Sequence, residues 1–180
     1  MAIHKKELLE AFKPAFKERG FTKTASTWVL EEPEVFCVFN VQTSQWSESY
    51  YFNAGIYVKA VAPRTRPTDP DCHWRTRLPL KKDTIRLSAE LSDFENHIGT
   101  IPEKIEGLRR IILPDAFEWF SLNNSTEKLR CALSNRPKYV PPSTVALLNY
   151  LGLPYHQVKT PNKSASSNPH SPSAQGADGR

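Results

Sequence analysis

The segment between residues 27 and 78 constrains the fold most, because its side chains alternate with the two-residue period of a β-strand. In the clearest run, at 51–61, the apolar positions are Phe52, Ala54, Ile56 and Val58. Three more runs are rich in β-branched and aromatic residues, and they lie at 27–30, 35–43 and 72–78. Together they predict an antiparallel sheet with a hairpin turn at 31–34. A weaker alternation at 85–91 predicts another strand, or a short helix in its place.

Helical spacing of apolar residues flanks this strand-rich segment on both sides. An N-terminal helix is predicted over about residues 4–19, bent at Pro14 and ended by Gly20. A Thr-Ile-Pro-Glu capping box at 100–103 begins a second helix, which we expect Pro114 to end. Further helices are predicted over 117–122, after 124–127 and over 141–151. Strands followed by helices indicate an α+β fold: an antiparallel sheet of four to five strands, with an N-terminal helix and three to four C-terminal helices packed on one face.

Length and composition limit the class of protein. The chain has 180 residues, 39% of them hydrophobic, and no apolar run approaches the roughly 18–20 residues of a membrane helix. The N-terminus does not resemble a signal peptide, so we expect a cytoplasmic protein without membrane contact. Residues 1–155 have the composition of a single α+β domain. Residues 156–180 are dominated by small and polar residues and predict a disordered polar tail.

Positive charge is concentrated in one part of the chain. The formal net charge is +5, and residues 59–82 alone carry seven basic residues against two aspartates. The tail carries a net +2, so the rest of the chain is slightly acidic. Nucleic acid is not an expected partner, because the folded part has little net charge and no known reading motif. An acidic protein partner or an anionic small molecule fits the local charge better.

Little in the sequence predicts catalysis, a metal or a cofactor. The cysteines Cys37, Cys72 and Cys131 lack metal-binding spacing, and Cys37 and Cys131 are expected to be buried. Cys72 and His73 are adjacent, so on a strand they would face opposite sides and cannot form a catalytic pair by themselves. A pairing of Cys72 with His97, in a predicted loop, is the alternative. No nucleophile elbow, P-loop or zinc-protease motif occurs. We therefore predict no catalytic residues, no metal and no cofactor.

The polar side chains of the predicted strands form the candidate binding site. Alternation groups them, strand by strand, as Asn40 and Gln42; Asn53 and Tyr57; and His73, Arg75 and Arg77. If these strands are neighbours, the three groups share the face of the sheet that the helices leave open. Such a face can be merely solvated, yet asparagine is depleted in strands and needs another reason to be there. Because the planar guanidinium of arginine binds two oxygens at once, we predict a face that recognises anions.

Aromatic residues of two kinds accompany this face. Trp46, Tyr50 and Tyr51 surround a loop at 44–49, and such an aromatic edge is typical of protein recognition. Trp28 and Trp119 are expected in the core. Trp74, together with Trp46, could instead offer a stacking surface to nucleic acid if both were exposed.

Several segments, taken in order, resemble the bacterial domain of unknown function family 4304. The matching segments are FKPAFKERGFTK at 12–23 with Trp28, FNVQTS at 39–44, FNAGIY at 52–57 and CHWRTRL at 72–78, followed by a looser match over 112–133. The sequence departs from the family pattern after Arg77. There the family often carries a tryptophan pair that follows an aspartate, whereas this chain has Asp83-Thr84-Ile85-Arg86-Leu87. The resemblance supports the fold prediction and implies no activity.

Two functional hypotheses remain. The first is a cytoplasmic binding protein, without catalysis, that recognises an acidic protein partner or an anionic ligand through the polar, cationic sheet face. The alternative is an enzyme acting on a phosphorylated or carboxylated small molecule, with His73 as the acid–base.

Overall fold

The computed structural model describes residues 4–95, 99–134 and 142–154. The elements in chain order are helix α1 (Lys5–Glu18), strands β1 (Thr22–Thr24), β2 (Thr27–Glu31), β3 (Val35–Thr43) and β4 (Tyr50–Val58), a 3-10 turn (Asp69–Asp71), strand β5 (Trp74–Leu78), and helices α2 (Lys82–Ser92), α3 (Ile101–Asn123), α4 (Thr126–Ser134) and α5 (Pro142–Leu151). The predicted polar tail lies outside the described residues.

The five strands form one antiparallel sheet in which each strand pairs with the next along the chain, in the order β1-β2-β3-β4-β5. Together with the helices before and after it, this sheet confirms the predicted α+β fold. The hairpin turn between β2 and β3 also lies where the sequence predicts it. The short strand β1 was not predicted, because three residues are too few to show an alternation.

The helices cover one face of the sheet, which we call the inner face. In α1, Leu8, Phe12 and Phe16 recur every fourth residue and are fully buried. The ring of Phe16 packs 4.6 Å from that of Phe39 in β3. Pro14 is in the same helix but on its exposed side, so the backbone hydrogen bond that it removes faces water rather than the core.

The core continues through the C-terminal helices. Trp28 and Trp119 are buried, as predicted. Helices α3, α4 and α5 add the following buried residues to the inner face: Leu108, Ile112, Ala116, Leu129, Leu133, Leu147, Leu148 and Leu151. Among the helices of the described residues, none combines the length and the apolar composition of a membrane span.

Three expectations about the C-terminal half are wrong. Residues 85–91 belong to helix α2, the alternative to the predicted strand, and the helix buries Ser88 and Ser92, which are four residues apart. Helix α3 continues through Pro114, since Leu113 and Ala116 on either side are held in the core. Cys131 is exposed rather than buried. In each case the packing of a helix decides the outcome, and a short sequence window does not report it.

Candidate binding face

The predicted site residues lie in rows on the sheet face opposite the helices, which we call the outer face. In one row, Asn40 pairs with Asn53, and Asn53 pairs with Arg77. In the row nearer the β3–β4 loop, Gln42 pairs with Tyr51. Strands β3, β4 and β5 are therefore neighbours, as the shared-face interpretation requires.

One half of the outer face is covered by the segment that joins β4 to β5. The side chains buried between this segment and the sheet form a second, smaller apolar cluster. The cluster consists of Val29, Phe36, Val38 and Tyr57 from the strands and Cys72 from the segment. Gly55 allows the segment to approach, because a Cβ atom on Gly55 would lie 2.6 Å from the Sγ atom of Cys72. We call this the covered half. Cys72 therefore lies on the outer side and Trp74 in the inner core, although strand alternation through residues 72–78 predicts the same face for both residues.

Two predicted site residues, Tyr57 and His73, belong to the covered half. Tyr57 is buried, and its hydroxyl donates a 2.7 Å hydrogen bond to the carbonyl of Ala62. His73 is 8% exposed, and its ring lies 4.6 Å from that of Tyr57. The amide of Val58 donates to His73 Nδ1 at 3.0 Å, which puts the ring proton on Nε2. Burial lowers the pKa of His73, and the charge of Asp71 opposes that effect. This histidine thus has a backbone partner at Nδ1 rather than the carboxylate that often orients an acid–base.

Arg75 is exposed but is occupied by the same covering segment. Its guanidinium lies 3.6 Å from a carboxylate oxygen of Asp69 and donates to the carbonyl of Asp69 at 3.5 Å. Burial raises the pKa of Asp69, while Arg75 and then Arg77 act in the opposite direction. Arg75 therefore holds the 3-10 turn against the sheet.

The remaining predicted residues form the other half of the outer face, which we call the open half: Asn40, Gln42, Asn53 and Arg77, joined by Tyr51. Its amides are held by neighbours. Asn53 Nδ2 donates to Gln42 Oε1 at 3.2 Å, and Asn40 Nδ2 donates to Thr27 Oγ1 at 2.9 Å. Such bonds explain why two asparagines occur in adjacent strands, and they fix the amide groups in place.

Arg77 is the only one of these residues that carries a charge. Its guanidinium carbon lies 4.3 Å from the centre of the Tyr51 ring. A guanidinium stacked on an aromatic ring keeps its N–H groups at the edge, where an external carboxylate can accept from them.

The cationic stretch at 59–82 is largely neutralised in the fold. Lys59 pairs with Glu31 at 2.7 Å, Arg64 with Asp71 at 3.0 Å, Arg75 with Asp69 at 3.6 Å and Lys81 with Asp115 at 3.5 Å. By contrast, no carboxylate of the described residues lies within ion-pair distance of Arg77. Arg77 is therefore the one charged group of the open half, and it has no ion pair among the described residues, whereas Arg66 and Lys82 of the stretch lie outside the open half.

The loop between β3 and β4 presents Trp46 to solvent. Trp46 is 93% exposed, whereas Tyr50 and Trp74 are buried, so of these three aromatic residues Trp46 alone is available to a partner. The amide of Ser44 donates to the carbonyl of Ser49 at 2.8 Å, and that of Phe94 donates to the carbonyl of Glu48 at 3.0 Å. Backbone bonds from two sides thus fix the loop that carries the tryptophan.

A groove of about 520 Å³ adjoins the open half, between helix α2 and the ends of β4 and β5. Tyr51 and Arg77 belong to its lining as well as to the open half. The sequence does not reveal the groove, because helix α2 brings Ile85 and Ala89 against these strands by a tertiary contact that no local pattern shows. A second groove, of about 710 Å³, is lined at the covered half by Lys59, Arg64 and Arg66, two of which are paired as above.

The described residues contain no group of three or more His, Cys, Asp or Glu side chains that could hold a metal ion. Burial raises the pKa of the Cys72 thiol well above its ordinary value, and the carboxylate of Asp69 adds to the shift. Cys72 is therefore a thiol at neutral pH and a poor nucleophile. The suggested partner His97 lies outside the described residues.

The fold and this face define a small α+β domain built on a five-stranded antiparallel meander, with helices on one face and an open polar patch on the other. The chain belongs to the family described as Domain of unknown function (DUF4304), whose model matches residues 12–132, from helix α1 to helix α4. No curated protein and no solved structure matches the chain.

Proposed function

We propose that this protein is a cytoplasmic binding protein that recognises an acidic segment of a protein partner through the open half. The observation that carries the proposal is Arg77, which is stacked on Tyr51 and has no carboxylate partner among the described residues. Four other cations of the same stretch are paired, and none of the remaining cations belongs to the open half. Catalysis forms no part of the proposal.

The chemistry of the open half suits a carboxylate-bearing segment. Arg77 supplies the single charge, and its fork of donors matches the two oxygens of a carboxylate. The amides of Asn40, Gln42 and Asn53 are neutral donors and acceptors, so they add hydrogen bonds without adding charge. The adjoining covered half supports the site, because Arg75 and His73 fasten the segment that bounds it.

Trp46 favours a protein over a small molecule as the partner. Trp, Tyr and Arg are the residue types that most often dominate protein interfaces. The loop end of the β3–β4 hairpin carries Trp46 and Tyr51, and Arg77 of β5 is stacked on Tyr51. A tryptophan on a fixed loop loses little conformational entropy when it binds.

The test is affinity capture from a lysate of the source organism with tagged full-length protein, followed by mass spectrometry. The wild type is compared with Arg77→Gln, which removes the charge and keeps a similar length. Arg109→Gln is the matched control, because Arg109 is exposed on α3 and already paired with Glu106.

We expect Arg77→Gln to bind the captured partner at least about tenfold more weakly, and Arg109→Gln to bind it as the wild type does. Replacing Asp and Glu by Asn and Gln in the captured partner's binding segment should have the same effect as Arg77→Gln. Equal affinity of the wild type and Arg77→Gln for that partner would contradict the proposal.

A further inference from the structure

The groove between α2 and the sheet exists because two neighbouring strands end at different levels. Strand β4 begins at Tyr50, whereas β5 ends at Leu78, which pairs with Phe52. Helix α2 returns along this gap, and a β-bridge between Ser49 and Asp93 closes one end. The resulting volume of about 520 Å³ lies within the range of small-molecule sites.

The walls of the groove are mainly apolar. They comprise Phe52, Leu78, Pro79, Ile85 and Ala89. Ile85 and Ala89 are four residues apart on α2, and Ile85 is 49% exposed although it is a large aliphatic residue. A ligand with an apolar body would cover this side chain and gain the free energy of removing it from water.

The polar side chains of the groove determine which polar group the ligand must carry beside its apolar body. Arg77 is the one cation in the lining, and Ser88 and Ser92 add hydroxyl groups from α2. Asp93 is the one carboxylate, and its Oδ1 accepts from the amide of Glu95 at 3.1 Å. Arg77 can neutralise one negative charge of a ligand, while Asp93 repels every negative charge, so the groove favours a monoanion over a dianion.

We infer that this groove binds a small monocarboxylate with an apolar body, its carboxylate on Arg77 and its apolar part against Ile85 and Ala89. This site goes beyond the proposed function but shares Arg77 with it. A bound acid therefore occupies the cation that the acidic partner needs, so the two ligands compete.

The experiment is a titration of the isotope-labelled full chain with phenylacetate, followed by two-dimensional NMR. We expect saturable shifts in the amide signals of Tyr51, Ile85 and Ala89 at millimolar phenylacetate. Phenylacetamide, which has the same shape and no charge, should bind at least about tenfold more weakly. Inorganic phosphate, largely a dianion at pH 7.5, should leave these signals in place.

Variants separate the two parts of the site. Arg77→Gln should weaken phenylacetate binding at least about tenfold, whereas Arg86→Gln, an exposed arginine of α2 paired with Glu90, should not. Ala89→Phe should fill the groove and abolish the shifts, while Leu87→Phe, outside the lining, should preserve them.

Equal binding of phenylacetamide, equal shifts with phosphate, or the absence of any saturable shift would each overturn the inference. The proposed function fails by a different result, since Ala89→Phe removes the groove but leaves Arg77 for a protein partner. Phenylacetate binding with unchanged partner affinity in Arg77→Gln would refute the partner proposal and leave the groove site standing.

Discussion

His73 shows how a single buried residue on the covered half responds to pH. Its Nδ1 accepts from the amide of Val58, and a protonated ring has no acceptor to offer there. Both this hydrogen bond and burial therefore favour the neutral form, in line with the lowered pKa of His73. The charge of Asp71 acts the other way but does not outweigh burial.

We predict that the free energy of unfolding falls as the pH is lowered through about 6.5, the usual pKa of histidine in an unfolded chain. The native pKa lies below that value, so the unfolded state binds the proton first and the stabilisation present above pH 6.5 is lost toward lower pH. The loss is at most about 1.4 kcal/mol per pH unit for one proton. Urea unfolding between pH 5 and 7.5 measures it. His73→Asn should flatten this part of the profile, and an identical slope in both proteins would refute the assignment.

Individual residues also show how much of the candidate site could be predicted from the sequence. Asn40, Gln42, Asn53 and Arg77 came from two-residue alternation, and strand pairing brings them together. Their division from Tyr57, His73 and Arg75 could not be predicted, because it depends on the segment that folds back over Gly55. Nothing in a local sequence pattern reports such a covering contact.

At the scale of elements, helix α3 is attached to the turn between β5 and α2 by one buried carboxylate. The amide of Leu80 donates to Asp115 Oδ2 at 2.9 Å, and Lys81 lies 3.5 Å from Oδ1. Lys81 is also 3.5 Å from Glu118, one turn further along α3, which is exposed. Two carboxylates of one helix thus meet the same lysine, but only Asp115 also holds a backbone group.

Asp115→Ala is expected to lower the free energy of unfolding by about 1–3 kcal/mol, because it leaves the amide of Leu80 without its acceptor. Glu118→Ala should produce no measurable change, since exposed ion pairs contribute little. Chemical denaturation of both variants checks this pair. Equal effects of the two substitutions would mean that the lysine, and not the backbone bond, links the elements.

Some helices and strands could be predicted from the sequence, and others could not. Both the N-terminal helix and the β2–β3 hairpin have strong local signals and were predicted. Helix α2 lies in a segment whose sequence predicts a strand or, as the alternative, a short helix. Its apolar residues Ile85, Leu87, Ala89 and Leu91 alternate, so the local pattern alone does not decide between the two. The close approach of α2 and α3, where Leu91 packs onto Gly107, favours the helix and is visible only in three dimensions.

For the whole molecule, the two sheet faces differ: the inner face carries the main core, and the outer face carries the surface that we propose for recognition. The inner face and its helices contain nearly all the buried aromatic residues. Trp46, the most exposed large hydrophobic residue of the part of the chain that the structure describes, lies in the loop between β3 and β4. The ion pairs on the outer face hold the covering segment against the sheet, whereas Arg77 has no ion pair among the described residues and is available to a partner. A change at the open end of the hairpin should therefore affect binding and leave folding intact.

Trp46→Ala tests this separation. The side chain is 93% exposed, so its removal should change the free energy of unfolding by less than about 0.5 kcal/mol. Binding of the partner captured by the wild type should weaken at least about tenfold, because a fixed aromatic anchor is lost. Tyr150→Ala, at a half-exposed aromatic of α5, is the control and should change neither quantity by as much. Urea unfolding and calorimetric titration with the purified partner give the two values. Loss of stability would make Trp46 a structural residue, and full-strength binding would remove the hairpin loop from the recognition surface.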